Sequence, residues 1–185
     1  MNPSDPAPLS IRSDLDALPA YVPGKSAPGA IKLASNEVTQ GPLPAAQQAI
    51  AEAAAAGNRY PDISAYALRT ELAEQFDTTP ENIAVGCGSS ALCLQIIQAT
   101  CTSGDEVLFG WRSFEAYPIL TRVALATPVQ VPLAADGSLD LDAMAAAITD
   151  RTRIIFLCTP NNPTGPALAA SDVIRFLEQV PERVT

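Results

Sequence analysis

From residue 82 onward the chain alternates short apolar, β-branched runs with amphipathic stretches, and this alternation constrains the fold more than any other feature. Runs at 82–86, 106–110, 128–133 and 153–158 read as strands, and stretches at 90–100, 114–124, 139–149 and 171–180 read as helices. Strand–helix–strand order with short turns predicts an α/β fold, a parallel sheet with helices on both faces. Upstream, 44–57 predicts an alanine-rich helix with Pro44 near its start and Gly57 at its end. A second helix is predicted over 63–76, where Leu68, Leu72 and Phe76 repeat on one face. Residues 58–62, Asn-Arg-Tyr-Pro-Asp, form a loop between the two. Residues 1–32 are Pro-rich and read as an N-terminal arm with a short helical stretch at 11–18; a domain over 33–185 follows.

Composition then removes whole classes of function. A length of 185 residues suffices for one domain with its own core, and 48% hydrophobic with 17% charged residues describes a globular chain. The net charge of -9 argues against nucleic acid and anionic membrane as partners, since both would repel it. No apolar run approaches the roughly 20 residues that span a bilayer, and the opening MNPSDPAPLS lacks the regions of a secretory signal, so a cytoplasmic location is expected. Cys87, Cys93, Cys101 and Cys158 show no CxxC pairing and are expected to be buried, reduced thiols. With no histidine, Ser-His and Cys-His nucleophiles and His-ligated metals are excluded. The only lysines, Lys25 and Lys32, precede the first candidate strand.

Open α/β sheets bind ligands beyond the carboxyl ends of their strands. Three strand ends here carry unusual residues: Gly86-Cys-Gly-Ser-Ser-Ala91, Trp111-Arg-Ser-Phe114 and Pro160-Asn-Asn-Pro-Thr-Gly165. The glycine–serine turn fits an anion site, because free N–H groups at a helix start carry about half a positive charge; it also fits a tight turn capped by Ser89. Phe114 reads either as a face for a flat ring or as core. Tyr60 reads as a surface tyrosine. The same turn imitates a dinucleotide fingerprint, yet the second strand ends in Trp111-Arg-Ser rather than in the acid that holds a ribose, which counts against NAD. The double asparagine fits a plain turn or a presented amide.

Taken in order, Asn58-Arg-Tyr-Pro-Asp62, Gly86-Cys-Gly-Ser-Ser90, Trp111-Arg-Ser-Phe-Glu-Ala-Tyr117 and Pro160-Asn-Asn-Pro-Thr-Gly165 resemble the pyridoxal-phosphate aminotransferases of fold type I, most closely the histidinol-phosphate and aromatic-amino-acid branch. The resemblance implies the cofactor pyridoxal 5'-phosphate. Asn162 would donate to its phenolic oxygen, Phe114 would stack on its ring, and Gly88, Ser89 and Ser90 would hold its phosphate. The Asn162–Pro163 bond is expected to be cis. Tyr60 would reach a partner's phosphate across a homodimer, Tyr21 would line the substrate side-chain pocket, and Asn36 would lie near the substrate carboxylate. The implied reaction moves an amino group from an aromatic L-amino acid to 2-oxoglutarate, with histidinol phosphate as the alternative donor.

The resemblance also implies parts that are not in this sequence: an aspartate for the pyridine nitrogen, an imine lysine, and arginines for the substrate carboxylate. Lys25 and Lys32 match neither the order nor the setting of that lysine. The chain is therefore expected to be the front portion of a longer enzyme, with an incomplete large domain, inactive and weakly stable alone. Two other classes stay open at this point: an NAD-dependent dehydrogenase and a non-catalytic cofactor-binding protein.

Overall fold

The computed structural model describes residues 11–16, 18, 28–31 and 36–185, so Tyr21, Lys25 and Lys32 lie outside the described residues. The chain divides into two compact units, Met1–Pro19 with Gly86–Thr185, and Ala20–Val85.

In the first unit, strands β1 (Glu106–Trp111), β2 (Thr127–Pro132) and β3 (Thr152–Phe156) form a parallel sheet in the order β2-β1-β3. The central strand is the most apolar and is buried from Glu106 to Gly110, as a strand covered on both faces must be. On one face Val107, Phe109 and Ile154 pack with Ile97 of α3 (Gly88–Thr100), Cys101 just past its end, and Tyr117 of α4 (Ala116–Val123). On the other face Leu108 and Val131 pack with Met144 of α5 (Leu141–Ala146) and Phe176 of α6 (Ala170–Leu177). Helices therefore cover both faces, as the alternation predicts. On the outer edge of β3, Thr185 N–H donates to Arg153 O at 2.8 Å and Ile155 N–H donates to Thr185 O at 3.0 Å, a parallel exchange. Near the start of the chain, Ser13–Leu15 forms one 3-10 turn within the predicted stretch 11–18. Arg12 fastens this turn to the end of α4 by donating to Arg122 O at 2.8 Å and Val123 O at 3.2 Å.

The amino edge of the sheet is sealed by charge. Glu106, 4% exposed, accepts from Arg151 Nη2 at 2.7 Å and from the Thr149 hydroxyl. Burial pushes its carboxyl up, but those hydrogen bonds and the Arg151 charge outweigh it, leaving Glu106 below the ordinary carboxylate range.

The second unit holds α1 (Pro44–Ala55) and α2 (Tyr66–Gln75). Pro44 opens α1 where a missing N–H costs nothing. The start of α2 is fixed by Asp62, which accepts from Ser64 N–H and Tyr66 N–H, both at 2.9 Å. This places the helix start three residues later than the sequence predicts.

Two expectations need correction. The predicted strand at 82–86 does not form: Pro80–Asn82 is a 3-10 turn, Ile83 is extended, and no strand among the described residues pairs with it. A strand needs a lateral neighbour for its N–H and C=O groups, and apolar content alone does not supply one. The four thiols are free, but only Cys101 is buried; Cys93 and Cys158 are half-buried and Cys87 is exposed in a turn.

Candidate active site

Connectivity puts the three motifs at one rim. Helix α3 ends at Thr100 and feeds β1 at Glu106, so its carboxyl end lies at the amino edge of the sheet and its start points to the opposite edge. Cys93, just past the first turn of α3, packs on the same cluster as Phe156 and Cys158 at the end of β3. Residues 88–90, one turn earlier, therefore overhang the carboxyl edge. Because β1 and β3 run parallel, their trailing segments 112–114 and 157–165 leave from that same edge.

At the start of α3, Gly88 has φ +76°, and nothing lies within 4 Å of where a Cβ would sit. Gly88 N–H turns back to Gly86 O at 2.8 Å, while Cys87 makes no side-chain cap. Ser89 does not cap the helix either, and the backbone N–H groups of Ser89 and Ser90 have no partner among the described residues. The positive φ calls for glycine, and the open volume above it leaves two amides and two exposed hydroxyls able to meet an anion.

The double asparagine divides its labour. Asn161 is 3% exposed and fully bonded: it accepts from Ser113 Oγ at 2.7 Å and donates to Arg112 O at 3.1 Å and Thr164 Oγ1 at 2.7 Å. Asn162 is half-buried, and its carboxamide has no partner among the described residues. An amide carries two donors and an acceptor that ask for partners, and one held at a sheet rim without them is set up for a ligand. The Asn162–Pro163 bond is cis, as expected, and so are Thr159–Pro160 and Trp111–Arg112.

Phe114 is half-buried and makes a T-shaped contact with Tyr117, at 5.4 Å between ring centroids and 88° between planes. Tyr117 stacks in turn on Phe156 at 4.5 Å. Burial, with Cys158 and Cys93 nearby, pushes the Tyr117 hydroxyl well above its ordinary range, so it stays protonated and serves as support. An aromatic face, an amide and an anion cradle thus share one rim, a set that fits a flat, phosphorylated heteroaromatic ring.

The second unit carries Tyr60, fully exposed, and Asn36, exposed with φ 52°. Gly88, Ser89, Ser90, Phe114 and Asn162 all belong to the first unit, on segments that leave the carboxyl edge of its sheet; Tyr60 and Asn36 belong to the second unit. The sequence reading passed over Ser113, Asn161 and Thr164. The asparagine doublet and the serine directly before Phe114 were the available signals. Glu106, at the start of the strand that follows the imitated dinucleotide turn, is committed to Arg151 at the opposite edge, which counts further against the dehydrogenase reading.

Residues 28–184 match the family Aminotransferase class I and II. The chain is 64% identical over 173 residues to an aromatic amino acid aminotransferase of Rhodococcus opacus, covering 94% of this chain and 48% of that protein. It is 58% identical over 177 residues to another of Mycobacteroides abscessus, covering 96% and 51%. It thus spans about half the length of these curated relatives. A solved histidinol-phosphate aminotransferase of Sinorhizobium meliloti, in complex with pyridoxal-5'-phosphate, superposes with a TM-score of 0.72 at 30% identity, covering 78% of this chain and 39% of that one. The fold is that of fold type I aminotransferases, and the chain belongs to the aminotransferase class I and II family.

Proposed function

We propose that this chain is the cofactor-binding part of a pyridoxal-phosphate-dependent aminotransferase that moves an amino group from an aromatic L-amino acid to 2-oxoglutarate. The carrying observation is the unpartnered Asn162 amide on the rim that also presents the Ser89 and Ser90 amides. The aromatic donor rests on relatives at 58% to 64% identity that bear that name. Since the chain spans about half their length, the activity proposed is that of the full protein.

When bound, pyridoxal phosphate supplies an electron sink for the charge left as a substrate Cα–H bond breaks. The residues of this chain bind and orient it. Ser89 and Ser90 offer backbone N–H and hydroxyl donors to the phosphate, with Gly88 leaving room for its approach. Asn162 Nδ2 donates to the ring's phenolic oxygen and favours its ionised form. Phe114 covers one ring face and keeps water from it. By the family resemblance, Tyr60 would reach the phosphate of a second copy in a homodimer, Tyr21, outside the described residues, would line the substrate side-chain pocket, and Asn36 would meet the substrate carboxylate. No helix among the described residues is long and apolar enough to cross a membrane.

The test is an assay of the full protein, as its gene encodes it, with phenylalanine, tyrosine and histidinol phosphate as donors and 2-oxoglutarate as acceptor. The aromatic donors are expected to give the higher kcat/KM. Preference for histidinol phosphate, the reading favoured by the Sinorhizobium meliloti structure, would reverse the donor assignment. Failure to bind pyridoxal phosphate at all would remove the proposal. Asn162→Ala should weaken cofactor affinity by about tenfold or more and shift the pH midpoint of the bound chromophore upward, as loss of a donor to a buried oxyanion requires.

A further inference from the structure

We propose that Ser113 and Asn161 form a positioning pair that sets the distance between Phe114 and Asn162, an inference that rests on the cofactor reading above. Each member immediately precedes one of the two side chains assigned to the ring. Both are polar yet almost wholly buried, Ser113 at 1% exposure and Asn161 at 3%, and Ser113 Oγ donates to Asn161 Oδ1 at 2.7 Å. Consecutive Cα atoms lie about 3.8 Å apart across a trans bond, so clamping residues 113 and 161 restricts where 114 and 162 can stand. The clamp thus ties the trailing segment of β1 to that of β3 across 48 residues of sequence.

The remaining bonds of Asn161 extend the clamp to a third loop. Its Nδ2 donates to Arg112 O and to Thr164 Oγ1, and Thr164 Oγ1 donates to Gly137 O at 2.7 Å in the loop between β2 and α5. Gly137 has φ +83°, and an added Cβ would stand 3.2 Å from Thr164 Cβ, so only glycine lets this loop come so close. Every side-chain N–H and O–H hydrogen of Ser113, Asn161 and Thr164 has its own acceptor, and the direction of each bond is fixed by the next. Such a saturated network, buried at Ser113 and Asn161 and open only at its Thr164 end, holds one geometry, and a positional error of about 1 Å at a reacting centre is costly. A plain structural brace would need only strength. This one joins the two positions on which the ring's face and its oxygen depend.

The experiment uses the full protein loaded with pyridoxal phosphate and compares Ser113→Ala, Ser113→Thr and Asn162→Ala. Cofactor affinity and the pH midpoint of the bound chromophore are the readouts. Ser113→Ala is expected to weaken affinity about tenfold and to move the midpoint in the same direction as Asn162→Ala. Ser113→Thr keeps the hydroxyl and should hold both quantities within about twofold. The double variant Ser113→Ala/Asn162→Ala should have the midpoint of Asn162→Ala alone, because the pair acts through that amide. If Ser113→Ala lowers only the melting temperature, the positioning role is overturned while the cofactor reading stands. If Asn162→Ala also leaves the midpoint unmoved, the reading and the pair fall together. Should Ser113→Ala fail to fold, Thr164→Val, at an exposed position, opens the same clamp from its outer end; an unchanged midpoint there likewise overturns the proposal.

Discussion

In the unit that contains the sheet, Ile97, Leu108, Phe109 and Met144 are wholly buried; in the unit spanning Ala20–Val85, Ile63 is fully exposed, Leu68 is 52% exposed, and Ala73 alone is buried among the described residues. Both units contain well-formed helices. Local signals suffice for a helix: a proline at the first position in α1, an aspartate accepting at the start of α2. A core needs partners brought from elsewhere in the chain, and the sheet supplies them only to the first unit. The difference predicts that stability resides in contacts around β1 and that helix-forming residues of α2 add little.

The largest expected effect tests the first half of that statement. Phe109 is wholly buried and meets Trp111 at 6.1 Å and Tyr117 at 5.4 Å between ring centroids. Phe109→Ala should cost about 3–5 kcal/mol of unfolding free energy, read from denaturant midpoints, because it removes a large buried side chain and leaves a cavity. A loss below about 1 kcal/mol would mean that the β1 cluster is not where the stability lies.

How far the two units were legible in the sequence follows the same line. The three strands that pair and the helix at Pro44 are visible as local patterns, because β-branched runs and prolines act on their own backbone, whereas the cis Asn162–Pro163 bond is implied only by the family resemblance. The apolar segment 82–86 has the same local pattern and forms no strand, since pairing is decided by a neighbour far away in sequence. Leu68 and Phe76 mark a helix face correctly and still lie exposed, because periodicity says which residues share a face and not what covers it. At the rim the sequence presents two identical asparagines. Which one is spent on structure depends on Ser113, and no spacing rule links position 113 to 161.

A smaller effect sharpens the comparison through pH. Glu106 is buried, and its hydrogen bonds and the Arg151 charge outweigh the burial that raises it, so its folded-state carboxyl titrates below the ordinary range. A depressed carboxylate stabilises the fold above its unfolded pKa and loses that contribution as pH falls through the ordinary carboxylate range toward the folded value. Unfolding free energy should therefore drop on acidification. Glu106→Gln should flatten that drop and cost about 1–3 kcal/mol near neutrality, because a charge-assisted buried acceptor becomes a neutral one. Parallel pH profiles for the variant and the natural chain would remove Glu106 as a source of acid sensitivity.

The smallest effect is the one that most directly challenges the contrast. Leu68 sits on α2 with about half of its surface in water, so truncation removes only part of the transfer energy that a buried leucine contributes. Alanine is also the better helix former, which offsets some of the loss. Leu68→Ala should cost about 0.5 kcal/mol, several times less than Phe109→Ala measured in the same denaturant series. Both variants delete an apolar side chain from a regular element, so their ratio isolates what tertiary packing adds. A cost for Leu68→Ala approaching that of Phe109→Ala would show that α2 is buried in solution and that the two units are stabilised alike.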